Sequence, residues 1–165
     1  MMLVEADISD DWDSRSDWRA LADRSVRAAI AHSRHPELAA SAVEVSVKFT
    51  SNGEVHALNA AWRGKDGPTN VLSFPMISEA ELDAASDHLL GDVVLAQGIC
   101  AAEAAERQVP IETHAAHLVV HGALHLLGYD HETSDEDAEE MEEVERLALA
   151  SLGIADPYQV SEVQP

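Results

Sequence analysis

The spacing of apolar residues changes period several times along the chain, and each change predicts an element. Residues 2 to 6 suit a short first strand. From 16 to 33, Trp18, Leu21, Ala22, Val26, Ala29 and Ile30 recur at helical spacing, which predicts an amphipathic helix. "SAVEVSVKF" then switches to strict alternation, with Val43, Val45, Val47 and Phe49 sharing one face of a half-buried strand. "SNGEVHALNAAWR" follows as a turn and a helix ending near Arg63. "GKDGPTN" is rich in breakers and predicts a loop, after which "VLSFP" is a strand closed by Pro75. Residues 76 to 90 are an excursion, "GDVVLA" is a further strand, and a helix runs from about 97 to 108. Beyond Pro110, residues 112 to 127 are apolar enough for a helix lying in the core. Ser134 can cap a last helix to about 151, with Met141, Val144, Ala148 and Leu152 on one face, Leu147 beside them and the acids outward. The result is an α+β fold, in α/β layers: a small mixed sheet of about four strands packed with about five helices.

Composition narrows the class. A chain of 165 residues suits one domain, taken here as 1–165, with room for a sizeable core. A 46% hydrophobic share with interspersed charge is that of a folded soluble protein. Cys100 is the only cysteine, so no intrachain disulfide forms and no oxidising compartment is implied. The acidic start "MMLVEADISDDWD" lacks the basic and apolar regions of a signal peptide. No apolar stretch approaches the roughly 18 residues of a membrane span. A cytoplasmic location without membrane contact is the expectation.

The formal net charge of −21 argues, taken alone, against nucleic acid, since phosphate binding usually leaves a basic footprint. The distribution of that charge weakens the objection. Eight basic residues face six acidic ones between positions 15 and 71, so the acid lies near the two ends and in the 132 to 145 run. One face can still meet a polyanion.

The candidate chemistry sits in "HGALHLLGYDH", residues 121 to 131. His121 and His125 are four apart, so on a helix their side chains share a face and can chelate a divalent ion. Gly128 can end the helix in a left-handed conformation, and His131 can return to the same metal. The spacing HxxxHxxGxxH is that of the metzincin zinc site. Three neutral imidazoles suit zinc in a catalytic mode, with a fourth position left for water, although the ligand types also accept nickel or another imidazole-binding ion. His114 and His117 lie on the same helix face, as cleft wall rather than ligands, or as partners to the ligands or to RNA. Gly122 stands where an HExxH protease carries its glutamate base, which argues against peptide hydrolysis. Asp130 can orient a histidine or take a proton, but an aspartate in a tight turn more often bonds its own backbone.

"HGALHLLGYDH" resembles the signature of the YbeY family, bacterial endoribonucleases of ribosomal RNA maturation. "LNAAWRGKDGPTNVLSFP" (58 to 75) and "LGDVVL" (90 to 95) resemble two further family blocks, and the likeness covers roughly residues 43 to 153. The resemblance implies one zinc per chain on His121, His125 and His131, and a functional arginine at Arg63. A guanidinium there can hold a phosphate bidentately and stabilise its developing charge. Asp92 is expected to hold a turn or to support a histidine. The function implied by the resemblance is that of a zinc-dependent, single-strand-specific endoribonuclease acting on the 3′ end of 16S ribosomal RNA and in ribosome quality control. Arg63 and Asp130 are its candidate catalytic residues, and Arg63 and His117 its candidate substrate contacts. The acidic body suits docking on the ribosome or a small-subunit ribosomal protein. Two alternatives remain: a zinc metalloprotease-like hydrolase, and a non-catalytic ribosome-assembly module braced by zinc.

Overall fold

The computed structural model describes residues 2–64, 69–77, 89–130 and 134–158. Within them the expected order of elements holds. β1 (Leu3–Ile8) is followed by α1 (Trp18–His32), a short 3-10 turn at Pro36–Ala40, β2 (Glu44–Thr50), α2 (Asn52–Arg63) and β3 (Val71–Pro75). β4 (Leu89–Ala96), α3 (Gln97–Arg107), α4 (Ile111–Leu126) and α5 (Asp135–Ser151) complete them. The first strand extends to Ile8 because Ala6, Asp7 and Ile8 keep pairing with Val47, Lys48 and Phe49 of β2. Most of the 76 to 90 excursion, and parts of the loops at 64 to 70 and 128 to 134, lie outside the described residues.

The strands lie in the order β1, β2, β4, β3. β1, β2 and β4 are parallel, and β3 returns antiparallel along the edge of β4. This mixed sheet separates two apolar clusters. On one face Val45, Val47, Phe49, Val93 and Leu95 pack with Leu21, Val26 and Ile30 of α1, Val119 and Leu126 of α4, and Met141 and Leu149 of α5. On the other face Val55 of α2 meets Leu72, Val94 and Ala96, flanked by Leu58, Phe74 and Ile99. Trp12, Trp18 and Phe49 close one end of the larger cluster as an edge-to-face aromatic group. The alternation read at Val43, Val45, Val47 and Phe49 therefore marks a core face, and all four are at most 1% exposed.

The ends of the helices follow their capping chemistry. The side chains of Asp17, Ser51 and Ser134 each accept a backbone N–H from the first turn of α1, α2 and α5. α4 is buried along most of its length, as its composition requires. It ends at Leu126, and Gly128 takes a φ of 97°, the left-handed turn expected of it.

One expectation for α5 fails in an informative way. Met141, Val144 and Ala148 do face the core, but Leu147 is 48% exposed and the acids do not all point outward. Glu145 is 1% exposed. Its place on the same stripe carries it inward, where partners on α4 wait for it.

Candidate metal centre and cleft

α4 carries four histidines down one side. Successive ring centroids of His114, His117, His121 and His125 are 5.9, 6.4 and 4.7 Å apart. The first two are largely buried, and both line a small cavity. His114 Nε2 donates to Glu103 Oε1 at 2.8 Å, and His117 Nε2 donates to Glu145 Oε2 at 2.8 Å. Burial pulls the His114 pKa below its ordinary value, against the opposing pull of Glu103. These two rings are internal parts of hydrogen-bond networks, and His117 also borders a small polar cavity with Asn70, Arg107 and Tyr158.

His121 and His125 differ, because each is partly exposed and both line a larger cavity. The two Nε2 atoms are 3.2 Å apart. His125 Nδ1 donates to the Tyr129 carbonyl at 2.9 Å, and His121 Nδ1 donates to Glu145 Oε2 at 3.3 Å. Both partners are acceptors only, so each Nδ1 carries a proton, and in the neutral ring Nε2 is the atom that can bind a metal. The two Nε2 atoms lie close enough for one cation to bind both. Two imidazole nitrogens bound tetrahedrally at about 2.0–2.1 Å to one zinc stand about 3.3 Å apart. The donor set and spacing thus fit a divalent metal.

The third expected ligand, His131, lies outside the described residues. Among the described residues no set of three His, Cys, Asp or Glu side chains is arranged to hold a metal ion. Cys100 does not compensate: it is fully buried, and burial together with Glu103 pushes its thiol up to about 12.

The supports of this pair were not visible as such in the sequence. Glu145 Oε2 receives both His117 and His121, while Tyr158 Oη donates to Oε1 at 2.9 Å. Burial works against the Glu145 charge, but the hydrogen bonds from His117 and His121 outweigh it and hold the carboxyl at about 2. Tyr158 is pushed up by burial and by the neighbouring Glu145 charge. Tyr129, whose carbonyl holds His125, is buried under Arg34, whose guanidinium lies 3.9 Å from the ring centroid. One signal for Glu145 was available. It falls four residues after Met141 and three before Ala148, on an apolar stripe where a charge has no place unless it is paired.

A cavity of about 620 Å³ opens over the two histidines. Arg63, Asn70, Ser73 and Asp130 line it, so Arg63 and Asp130 share the space into which the histidines open. Asp92 does not join them. It pairs with Phe74 and Ser46 and lies on the α2 face of the sheet, whereas its neighbour Val93 faces α4. There it borders a second groove of about 780 Å³ with Lys48, Leu58 and Trp62, and burial raises its pKa. Support of a histidine by Asp92 is thus corrected by strand alternation. Arg63, Ser73 and Pro75 border both cavities, which makes the β3 edge the ridge between them.

Gly122 has a packing cause. Ser73 Oγ donates to its carbonyl at 3.1 Å, and α4 lies against the sheet at this point. A Cβ at 122 would stand 2.6 Å from Val93 Cγ1 and 3.2 Å from Ser73 Oγ. The position that carries the glutamate base in HExxH helices faces the sheet here, not the cavity.

Comparisons with known proteins agree over nearly the whole chain. The family described as Endoribonuclease YbeY matches residues 8–153. The Endoribonuclease YbeY of Novosphingobium aromaticivorans is 54% identical, covering 97% of this chain and 98% of that protein. Its namesake in Rhizorhabdus wittichii is 50% identical, covering 98% of this chain and 99% of its own. The solution structure of TM1509 from Thermotoga maritima shares the fold, with a TM-score of 0.54 and 24% identity over 96% of this chain and 99% of that one.

Proposed function

The chain belongs to the Endoribonuclease YbeY family, and from that premise we propose that it cleaves single-stranded RNA at a divalent-metal site, zinc foremost, on His121, His125 and His131. The observation that carries this reading is the pair of imidazole Nε2 atoms 3.2 Å apart. Arg63, on the wall of the same cavity, gives the reading its substrate.

A metal bound there supplies a Lewis acid and a water whose pKa falls toward 7. The chain's own residues supply the rest. The Tyr129 carbonyl and the Glu145 carboxylate accept from Nδ1 of His125 and His121 and so hold the two rings with Nε2 as the atom left for a metal. Arg63 offers two parallel N–H donors to the phosphate undergoing cleavage, and so stabilises the charge that grows on its oxygens as a P–O bond breaks. Asp130, which lines the same cavity, is the candidate to accept a proton. His117 is assigned no substrate contact, because its Nε2 is committed to Glu145.

The wider role rests on the same premise. The substrate is the 3′ end of 16S ribosomal RNA, and the work belongs to ribosome maturation and quality control in the cytoplasm. No described helix is long and apolar enough to cross a membrane. With a net charge of −21, the chain gains more from being positioned by the ribosome or a small-subunit ribosomal protein than from charge attraction to RNA. The protease alternative is disfavoured by the packing at Gly122, which leaves no room for the base.

The test is cleavage of a single-stranded RNA and of casein by purified protein, with His121→Ala and Arg63→Glu as controls. RNA cleavage that both substitutions abolish, that a chelator stops and that zinc restores is the expected result. Equal RNA degradation by all three proteins, or negligible bound metal after chelator-free purification, sinks the reading. Full activity of Arg63→Glu together with unfolding of His125→Ala would favour the bracing module instead.

A further inference from the structure

The chain beyond α5 does not trail away. Arg107 Nη1 donates to the Pro157 carbonyl at 3.3 Å, and Arg146 lies 3.8 Å from Asp156. Tyr158 N–H donates to Asp156 Oδ1 at 2.8 Å, closing a turn that aims the phenol inward. Its hydroxyl reaches Glu145 Oε1 at 2.9 Å, and its ring meets the His117 ring edge to face at 5.8 Å. Three separate elements therefore converge on one carboxylate: His117 and His121 from α4, Glu145 from α5, and Tyr158 from the tail.

We propose that Glu145 and Tyr158 are positioning residues for His121: the carboxylate fixes the ring as its Nδ1–H tautomer with Nε2 toward the cavity, and the tyrosine fixes the carboxylate. This rests on the reading of His121 as a metal ligand.

The chemistry of the partners supports the assignment. An ionised carboxylate accepts and cannot donate, so the ring nitrogen facing it must bear the proton. That proton leaves Nε2 as the lone-pair atom, on the side where His125 Nε2 also points. An unsupported ring could rotate or hold its proton on Nε2, and either change removes the ligand. His117 donates to the same Oε2 from one turn earlier, which anchors that oxygen between the two rings. Tyr158 occupies the other oxygen, so rotation of the carboxylate about its terminal bond would break all three hydrogen bonds. Partners of this kind typically change metal affinity by about 10–100-fold. An apolar pairing could have filled the α4–α5 contact without the cost of burying a charge. That a charge is kept there, with three donors, points to the ring it orients.

The proposal is tested on the full chain with Zn²⁺ and Co²⁺ as probes and with the variants Glu145→Gln, Glu145→Ala and Tyr158→Phe. Zinc affinity is read by chelator competition, the ligand field by the visible spectrum of the Co²⁺ form, and the His121 tautomer by ¹⁵N shifts of the metal-free protein. Glu145→Ala should lose about 10–100-fold in zinc affinity and shift the Co²⁺ bands. It should also move the His121 proton toward Nε2. Glu145→Gln, whose amide oxygen can still accept from Nδ1, should recover part of each. Tyr158→Phe removes only a hydroxyl, keeps the fold, and should give a smaller loss in the same direction. A folded Glu145→Ala with unchanged affinity, unchanged Co²⁺ bands and an unchanged tautomer overturns the proposal. If Glu145→Ala does not fold, Tyr158→Phe with unchanged affinity and bands overturns the part assigned to the tyrosine, and the Gln variant decides the carboxylate. A wild-type chain that binds neither ion refutes the ligand reading itself. A wild-type His121 protonated on Nε2 in the metal-free protein refutes the positioning role whether or not metal binds.

Discussion

Replacing Gly122 with alanine tests the packing of α4 most directly. In an ordinary helix the change stabilises, because alanine gains about 0.5–1 kcal/mol over glycine in backbone entropy. Gly122 has no positive φ to forbid it. The new methyl, however, would stand 2.6 Å from Val93 Cγ1, on the inner strand β4, where Val93 is 0% exposed. Ordinary contacts begin near 3.4 Å, so helix and strand must part by most of an ångström. Overpacking by one methyl costs about 1–3 kcal/mol. The net expectation is a loss of about 1–2 kcal/mol, or about 2–8 °C in Tm for a chain of this size. Gly122→Glu adds an unpaired buried carboxylate, costs several kcal/mol more and should fail to fold. Urea denaturation of wild type, Gly122→Ala, Val93→Ala and the double variant measures this. The clash predicts that the double variant is less damaged than the sum of the singles by about 1 kcal/mol or more. An alanine variant as stable as wild type, or a folded glutamate variant that hydrolyses casein, would refute the packing account.

Other outcomes depend on single contacts. Arg63 is exposed, so Arg63→Glu should leave the melting temperature within about 2 °C while lowering RNA cleavage by about 100–1000-fold, read as kcat on a single-stranded RNA. Ser134→Ala removes the acceptor for Asp137 N–H and should cost about 1 kcal/mol in urea unfolding. Glu54 is held below the ordinary carboxylate range by its hydrogen bond from Lys48 and a second from Thr50. A depressed carboxyl contributes stability that is present above its unfolded pKa and lost as pH falls through the folded value, so Lys48→Met should flatten the acid side of a Tm-against-pH curve. Arg63 is the only lysine or arginine among the described residues lining the histidine cavity, so RNA affinity should fall with salt at a log–log slope no steeper than about −1.5. A slope steeper than about −3 in a filter-binding titration would mean a basic surface elsewhere.

Local rules account for the part of the fold that was legible in the sequence. Periodicity located the elements because each has one buried face, as at Val43, Val45, Val47 and Phe49, and the caps at Ser134 and Gly128 are short-range chemistry. The histidine pair was legible because four residues on a helix fix a distance with no help from the rest of the chain. The hidden part was set by tertiary contact. Glu145 sits within a run of surface acids; its register with Met141 and Ala148 sets it apart from Glu142 and Glu143, but only the position of α4 against α5 supplies its partners. Tyr158 lies beyond the last periodic segment, so nothing local assigns it a partner 13 residues back. Asp92 was misdirected because strand alternation decides between two faces, and the face depended on which side of the sheet α4 occupies.

A protease-like ligand spacing need not give protease chemistry, and helix geometry shows why. On α4, positions 121 and 125 are about 40° apart around the helix axis, whereas 122 is about 100° from 121 and turned into the sheet. In this frame a base at 122 could reach the cavity only if α4 rolled away from β3 and β4, giving up the Ser73 bond and the Val93 contact. Packing against the sheet therefore excludes a carboxylate at 122 while leaving the histidine pair intact. A chain so built needs a reaction in which charge stabilisation counts for more than a fixed carboxylate base. Phosphodiester cleavage meets that need, because its developing charge lies on oxygens that a guanidinium can reach. Arg63, carried to the cavity by the end of α2, comes from a different element than α4 and escapes the constraint that governs position 122.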